Sequence, residues 1–174
     1  DPRAMQAEAL AFVAVGSNLG DRRANAEIAV RELGALPRTR LCRTSPWYRS
    51  RAVGPGDQPD YLNGVVELRT FLDPLPLLEA LQRIESAAGR VRHERWGART
   101  LDLDLLLHDD CVMHTAVLTL PHPQLAERNF VVFPLHDLAP GLVLPDGRSV
   151  AELRRRLGTE GLEQLGPDQE FPHA

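Results

Sequence analysis

The sequence predicts an α/β fold of the α+β kind: a ferredoxin-like βαββαβ core, with a mainly antiparallel sheet covered by helices. Three observations carry this. Two segments show the spacing of amphipathic helices, strand-length apolar or alternating runs flank both, and Gly/Pro clusters punctuate the boundaries. The length, 174 residues, suits one domain.

Residues 10–15 (Leu-Ala-Phe-Val-Ala-Val) read as a first strand buried on both faces. Residues 16–20 (Gly-Ser-Asn-Leu-Gly) follow as a tight structural loop, lacking the Lys and the spacing of a phosphate-binding loop. Asp21 is placed to cap a helix running to about Leu36, with Ala26, Ala29, Val30 and Leu33 as its apolar stripe. A second strand is expected over residues 39–48, then a Gly/Pro-rich loop of lid length over 49–59. The third strand, 60–70, alternates: Leu62, Val66 and Leu68 share one face, and Tyr61, Asn63, Val65 and Glu67 the other. Asp73-Pro74 supplies an N-cap and an N1 proline for a helix to about Ala88, which Gly89 can close. After an arginine-rich loop (90–99) a fourth strand spans 100–108. Short strands near 117–120 and 142–144, a helical turn near 130–137 and a last helix over 149–157 follow, and the chain from Gly158 is expected to dock loosely. Residues 1–9 are expected to be a leader, 10–148 a single catalytic domain, and 149–174 a C-terminal helix and tail.

Composition narrows the function classes. Apolar residues make up 43% and charged residues 25%, an ordinary globular mix. A net charge of −4 argues against general nucleic-acid or anionic-membrane binding. All 20 basic residues are arginine, so no lysine nucleophile, Schiff base or Walker-type lysine is available. Cys42 and Cys111 stand far apart in apolar settings and suit buried free thiols in a reducing compartment. No apolar run approaches the roughly 18 residues of a membrane span, and nothing reads as a signal peptide. The expected location is cytoplasmic.

The sharpest chemical signal is Asp102 and Asp104. On a strand they point the same way, while Leu101, Leu103 and Leu105 take the opposite, buried face. Adjacent carboxylates repel unless a positive charge lies between them, and such oxygen-rich pairs suit Mg²⁺, or two bridged ions. An isolated Asp-x-Asp is equally an ordinary solvated strand face. The segment just before it changes that balance: Arg90, Arg92, Arg95 and Arg99 fall within ten residues, with Trp96 among them. Arginine forks match phosphate oxygens, and carboxylates plus arginines together are what a nucleoside triphosphate requires. On the preceding helix Glu85 projects near the apolar arc and needs a partner, either a structural one such as Gln82 or a ligand. Tyr61 and Asn63 share a strand face, offering a stacking ring and an amide that can read a heterocycle's edge, or simply packing in the core. His122 and Arg128, each taken alone, read as surface residues.

In this order the pieces resemble the 6-hydroxymethyl-7,8-dihydropterin pyrophosphokinase family of folate biosynthesis. The resemblance rests on residues 15–20, on Asp-Gln-Pro-Asp-Tyr-Leu-Asn (57–63), on Gly-Arg-Val-Arg (89–92), on Arg-Trp-Gly-Ala-Arg-Thr-Leu-Asp-Leu-Asp (95–104) and on Leu-Pro-His (120–122). It implies ATP as co-substrate and two Mg²⁺ ions held by Asp102 and Asp104. It also implies pyrophosphoryl transfer to the pterin hydroxymethyl oxygen with release of AMP. Arg90 and Arg99 match the catalytic-loop arginines. Gln82, Glu85, Arg92, Trp96, Thr119, His122 and Arg128 match positions lining the nucleotide site. The pterin is implied to stack between Tyr61 and Phe130, with Asn63 and the backbone from Ser50 to Val53 reading its edge. The partners implied are these small molecules alone, with no nucleic acid or membrane, and a monomer is expected.

Other classes stay in view. An Asp-x-Asp glycosyltransferase usually needs a larger nucleotide-binding domain, a ferredoxin-like binding module needs no acidic pair beside arginines, and the chain could be a fragment of a fused folate enzyme.

Overall fold

β1 (Ala9–Ser17) runs through the middle of the sheet because alternate residues face apolar layers on both sides. The computed structural model describes residues 7–52, 57–89 and 100–171. β1 leads into α1 (Arg22–Gly34), whose N-cap Asp21 accepts from the Ala24 N–H at 3.1 Å. The expected second strand is two strands, β2 (Thr39–Thr44) and β3 (Tyr48–Ser50). Pro46 lies between them and has no N–H for the ladder. The Ser45 hydroxyl occupies the break, accepting from the Val65 N–H at 2.9 Å and donating to the Pro46 carbonyl at 2.8 Å.

β4 (Tyr61–Thr70) is followed by α2 (Pro74–Ala87) and β5 (Asp102–His108). Asp73 precedes Pro74 as expected, yet its side chain makes no capping hydrogen bond, and the proline itself sets the helix start. The sheet order is β5-β1-β4, with β2 and β3 sharing the far edge of β4. Those pairings are antiparallel, which is the ferredoxin-like arrangement.

α1 and α2 cover one face. Ala26, Ala29 and Leu33 of α1 and Leu77 and Leu81 of α2 pack on Val13, Val15, Leu62, Val66, Leu103 and Leu105. The other face belongs to the second half of the chain. A two-stranded ribbon, β6 (Met113–His114) with β7 (Thr119–Leu120), precedes α3 (Asn129–Leu138) and α4 (Val150–Leu157). Val131, Val132 and Leu135 of α3 and Leu153 of α4 bury Phe12, Val65, Leu106 and Leu107. β6 was not expected, and the helical turn expected at 130–137 is a full helix of ten residues that carries Pro134 inside it. The strand expected at 142–144 reduces to one bridge, Val143 to Ser149.

The segment expected to dock loosely is built into the sheet. β8 (Leu162–Gln164) pairs antiparallel with β3, and Leu165 and Phe171 are buried in the α1/α2 core. Cys42 and Cys111 are free thiols, half-buried rather than buried. No described helix is long and apolar enough to cross a membrane.

Two packing details predict measurable effects. A Cβ at Gly64 would come within 2.6 Å of the Trp47 ring. Gly64→Ala is therefore expected to destabilise the fold by about 1–3 kcal/mol, seen as a Tm several degrees lower, whereas an unchanged melt would show that Trp47 swings aside without cost. Tyr48, buried on β3, donates its hydroxyl to Asp137 of α3 and stands edge-on to Phe133, with ring centroids 6.4 Å apart. Burial, then the Asp137 carboxylate, pushes the phenol well above the usual tyrosine range. The fold thus favours the neutral phenol. Its contribution to stability is complete below the unfolded tyrosine pKa of about 10 and is lost as pH rises through the raised folded value. In a spectrophotometric titration, Tyr48→Phe is expected to remove the late phenolate step, and a step surviving in that variant would reassign it.

Candidate active site

Three strands come level at one end of the sheet. Asp102 of β5 lies opposite Gly16 of β1, and Gly16 lies opposite Asn63 of β4. One step along, Asp104 lies opposite Ala14, and Ala14 opposite Val65. The alternation read from the sequence holds: Leu101, Leu103 and Leu105 are buried, so both aspartates face the other side, where they line one cavity with Asn63 and Tyr61. Gly16 makes the floor. A Cβ there would meet the Asn63 amide nitrogen at 3.3 Å and the Tyr61 ring at 3.4 Å, so the bare backbone lets the two side chains lie close across β1. Gly16 and Ser17 are therefore strand residues and not part of the expected loop.

The cavity, about 540 Å³, is lined by Asp102, Asp104, Tyr61, Asn63, Ser50, Phe130, Gln82, Glu85, His122 and Arg128 among others. Ten expected site residues from five elements and the segments between them thus meet in one place. Thr119 sits on β7, outside the cavity lining. Arg90, Arg92, Trp96, Arg99 and Val53 lie outside the described residues. Arg51, within the expected 50–53 backbone stretch, also lines the cavity, as do Leu78, Gln124 and Val131, which were not expected; their sequence context marks them only as loop or helix positions.

Each polar group has a visible reason for its pose. The Tyr61 hydroxyl donates to Asp102 Oδ2 at 3.2 Å, tying the aromatic side of the cavity to the acidic side. Asn63, 7% exposed, accepts the Ser50 hydroxyl proton at Oδ1, which fixes the plane of its amide. Glu85 turns inward from α2 to the edge of β5. Its Oε2 accepts from the Leu103 backbone N–H at 2.9 Å, so α2 caps the outer edge of β5 between the two aspartates. Asp104 faces Arg128 Nη1 at 3.9 Å and His122 Nε2 at 4.0 Å. His122 Nδ1 accepts from the Gln124 N–H at 3.2 Å, which leaves Nε2 to carry the proton toward Asp104. Burial first, then the Arg128 charge, lowers the imidazole pKa against the opposing pull of Asp104, and this pushes His122 toward its neutral form. Arg128 is held by Gln124 and lies over the Phe130 ring at 5.6 Å.

Among the described residues no three His, Cys, Asp or Glu side chains converge as a cation cage. A pair of strand carboxylates opening on a polar cavity fits Mg²⁺, which binds through one or two carboxylates and completes its shell with water and substrate phosphates.

The fold and the site together define an α+β domain with a small-molecule cleft, acidic at one end and carrying a stacking ring and a fixed amide at the other, in the manner of a group-transfer enzyme. Residues 12–140 match the family of 7,8-dihydro-6-hydroxymethylpterin-pyrophosphokinase (HPPK), and the chain belongs to that family. The 2-amino-4-hydroxy-6-hydroxymethyldihydropteridine pyrophosphokinase of Pseudomonas aeruginosa is 49% identical over 154 residues, covering 88% of this chain and 95% of that one. The enzyme of the same name from Haemophilus influenzae is 43% identical over 157 residues, covering 90% and 98%. Among solved structures, wild-type Plasmodium falciparum HPPK-DHPS with pterin and p-hydroxybenzoate superposes with a TM-score of 0.69 at 14% identity. That alignment covers 91% of this chain but 47% of the other, so the chain spans about half the length of that protein, and the likeness speaks for the fold. The expected activity, that of a pyrophosphokinase in folate synthesis, is the activity of this family.

Proposed function

We propose that this chain transfers pyrophosphate from ATP to the hydroxymethyl group of 6-hydroxymethyl-7,8-dihydropterin, with two Mg²⁺ ions at Asp102 and Asp104. The observation that carries this is the level row Asp102–Gly16–Asn63, which puts a carboxylate pair and a heterocycle-reading amide at two ends of one cavity. The pterin ring takes the side of Tyr61, Phe130, Asn63 and the backbone from Ser50 to Val53. The triphosphate takes the side of Asp102, Asp104, His122 and Arg128, with Gln82, Glu85 and Thr119 toward the nucleotide. Arg90 and Arg99 complete the grip on the phosphates, and Arg92 and Trp96 line the nucleotide site.

The hydroxymethyl oxygen attacks the β-phosphorus. The bond from that phosphorus to the α–β bridging oxygen breaks, AMP leaves with that oxygen, and the alcohol proton passes to solvent. When bound, Mg²⁺ neutralises charge on the phosphate oxygens and acidifies the alcohol. The protein's own part is positioning. Tyr61 holds Asp102 in place, Glu85 fixes the β5 edge, neutral His122 presents an N–H donor, and Arg128 offers a fixed cation. The reading carries with it a cytoplasmic monomer whose only partners are small molecules.

The metal requirement has a direct test. Treatment with EDTA is expected to abolish AMP formation and Mg²⁺ to restore it, while calorimetry shows ATP binding at least tenfold weaker without the ion. Full activity in EDTA would contradict the assignment of Asp102 and Asp104.

A further inference from the structure

The C-terminal tail reaches the cleft through a chain of contacts that the reaction itself does not require. After β8, the Leu165 N–H donates to the Trp47 carbonyl at 2.9 Å, and Arg23 of α1 donates to the Pro167 carbonyl at 2.6 Å. These contacts deliver Phe171, 6% exposed, between two guanidiniums: Arg22 stands 3.9 Å from the ring centroid and Arg49 5.2 Å. Both arginines then converge on a single residue. Arg22 Nη1 donates to the Asp60 carbonyl at 2.6 Å, and Arg49 Nε donates to Asp60 Oδ2 at 3.0 Å. Asp60 immediately precedes Tyr61, whose hydroxyl holds Asp102. The segment leading into β4 is steadied here as well, since the Asn18 amide donates to Gln58 Oε1 at 3.2 Å and to the Pro59 carbonyl at 3.3 Å.

The physical need for the ring is electrostatic. Two like charges beside one another repel, and Arg22 is buried at the start of α1. Burial and the neighbouring Arg49 both lower the Arg22 pKa, and Asp60 opposes them. An aromatic face attracts each cation through its quadrupole and adds no charge of its own. It therefore lets both guanidiniums stay on Asp60. Without the ring, a buried cation would border a void beside a second cation.

We propose that Phe171 is a positioning residue for the pterin side of the cleft, acting through Arg22, Arg49 and Asp60 on Tyr61. It touches no reacting atom. The proposal rests on the reading of Tyr61 as part of the pterin site, and it assigns the tail a catalytic purpose beyond packing.

The test compares Phe171→Ala and Phe171→Trp with the wild-type chain. In Phe171→Ala the KM for the pterin is expected to rise about tenfold, with the KM for ATP within about twofold of wild type. Phe171→Trp, which keeps an aromatic face, is expected to restore the pterin KM. A folded Phe171→Ala protein with an unchanged pterin KM, or with both KM values raised alike, overturns the proposal, as does failure of Phe171→Trp to rescue. A second measurement separates this from failure of the pterin reading. With 3-fluorotyrosine incorporated, the Tyr61 ¹⁹F resonance, assigned by its persistence in Tyr48→Phe, is expected to shift or broaden in Phe171→Ala and to return in Phe171→Trp. If it does not move, the coupling from tail to cleft is absent whatever substrate the enzyme takes.

Discussion

Asp104→Ala is expected to lower the rate of pyrophosphoryl transfer by about 10³-fold or more while the thermal melt stays close to wild type. The two halves of that expectation have separate causes. The Asp104 side chain is 44% exposed, and its strand is anchored from the other face by Leu103 and Leu105, so truncation opens no hole in the core. Its carboxylate, however, lies against Arg128 and His122 in the cavity, and without it Asp102 stands alone on that strand face and Arg128 loses the carboxylate it faces. ATP can still be attracted there, but the carboxylate pair proposed to hold Mg²⁺ is gone. Steady-state rates of AMP formation, read beside a melting curve, check both halves. A folded variant within tenfold of wild-type activity would take Asp104 out of the mechanism.

Asn63→Ala is the second large effect, and it falls on the opposite substrate. Asn63 is buried, and the Ser50 hydroxyl pins its amide so that its donors face the cavity in one orientation. A site built to pair with a heterocycle's polar edge loses heavily when one of its own groups is removed. The pterin KM is therefore expected to rise about 10²-fold, with the KM for ATP unchanged. Some stability is lost as well, about 1–3 kcal/mol, because the buried Ser50 hydroxyl loses its acceptor. Loss of ATP affinity with pterin affinity intact would reverse the assignment of the two ends of the cavity.

The residues that read correctly from sequence are those whose signal is local. A period of two places Leu101, Leu103 and Leu105 on one side and Asp102 and Asp104 on the other, and no tertiary contact is needed to see it. The cap Asp21 is likewise short-range, and it accepts from the Ala24 N–H. What the sequence conceals is decided by partners far along the chain. β8 has three residues and no apolar pattern; it is a strand because Tyr48 lies opposite Gln164. Gly16 looks like part of a turn, and only the register that brings Asn63 and Tyr61 over it reveals a cleft floor. Glu85 shows the intermediate case: the helical projection turns it inward correctly, but its partner is a backbone N–H of β5, which no side-chain pattern can announce. The break between β2 and β3 was legible in principle, since Pro46 cannot join a ladder. The apolar pattern of α3, built from Val, Phe and Leu, continues through Pro134, and the helix extends one residue beyond the expected 130–137 at each end.

The measurement that tests the central claim most directly is the identity of the nucleotide product when the protein is mixed with ATP, Mg²⁺ and 6-hydroxymethyl-7,8-dihydropterin and resolved by chromatography. The account predicts AMP in amounts equal to the pterin pyrophosphate, and only when all three are present. Formation of ADP in its place would mean attack at the γ-phosphorus, and no nucleotide product from folded protein would mean a cleft that binds without transferring; either contradicts the account.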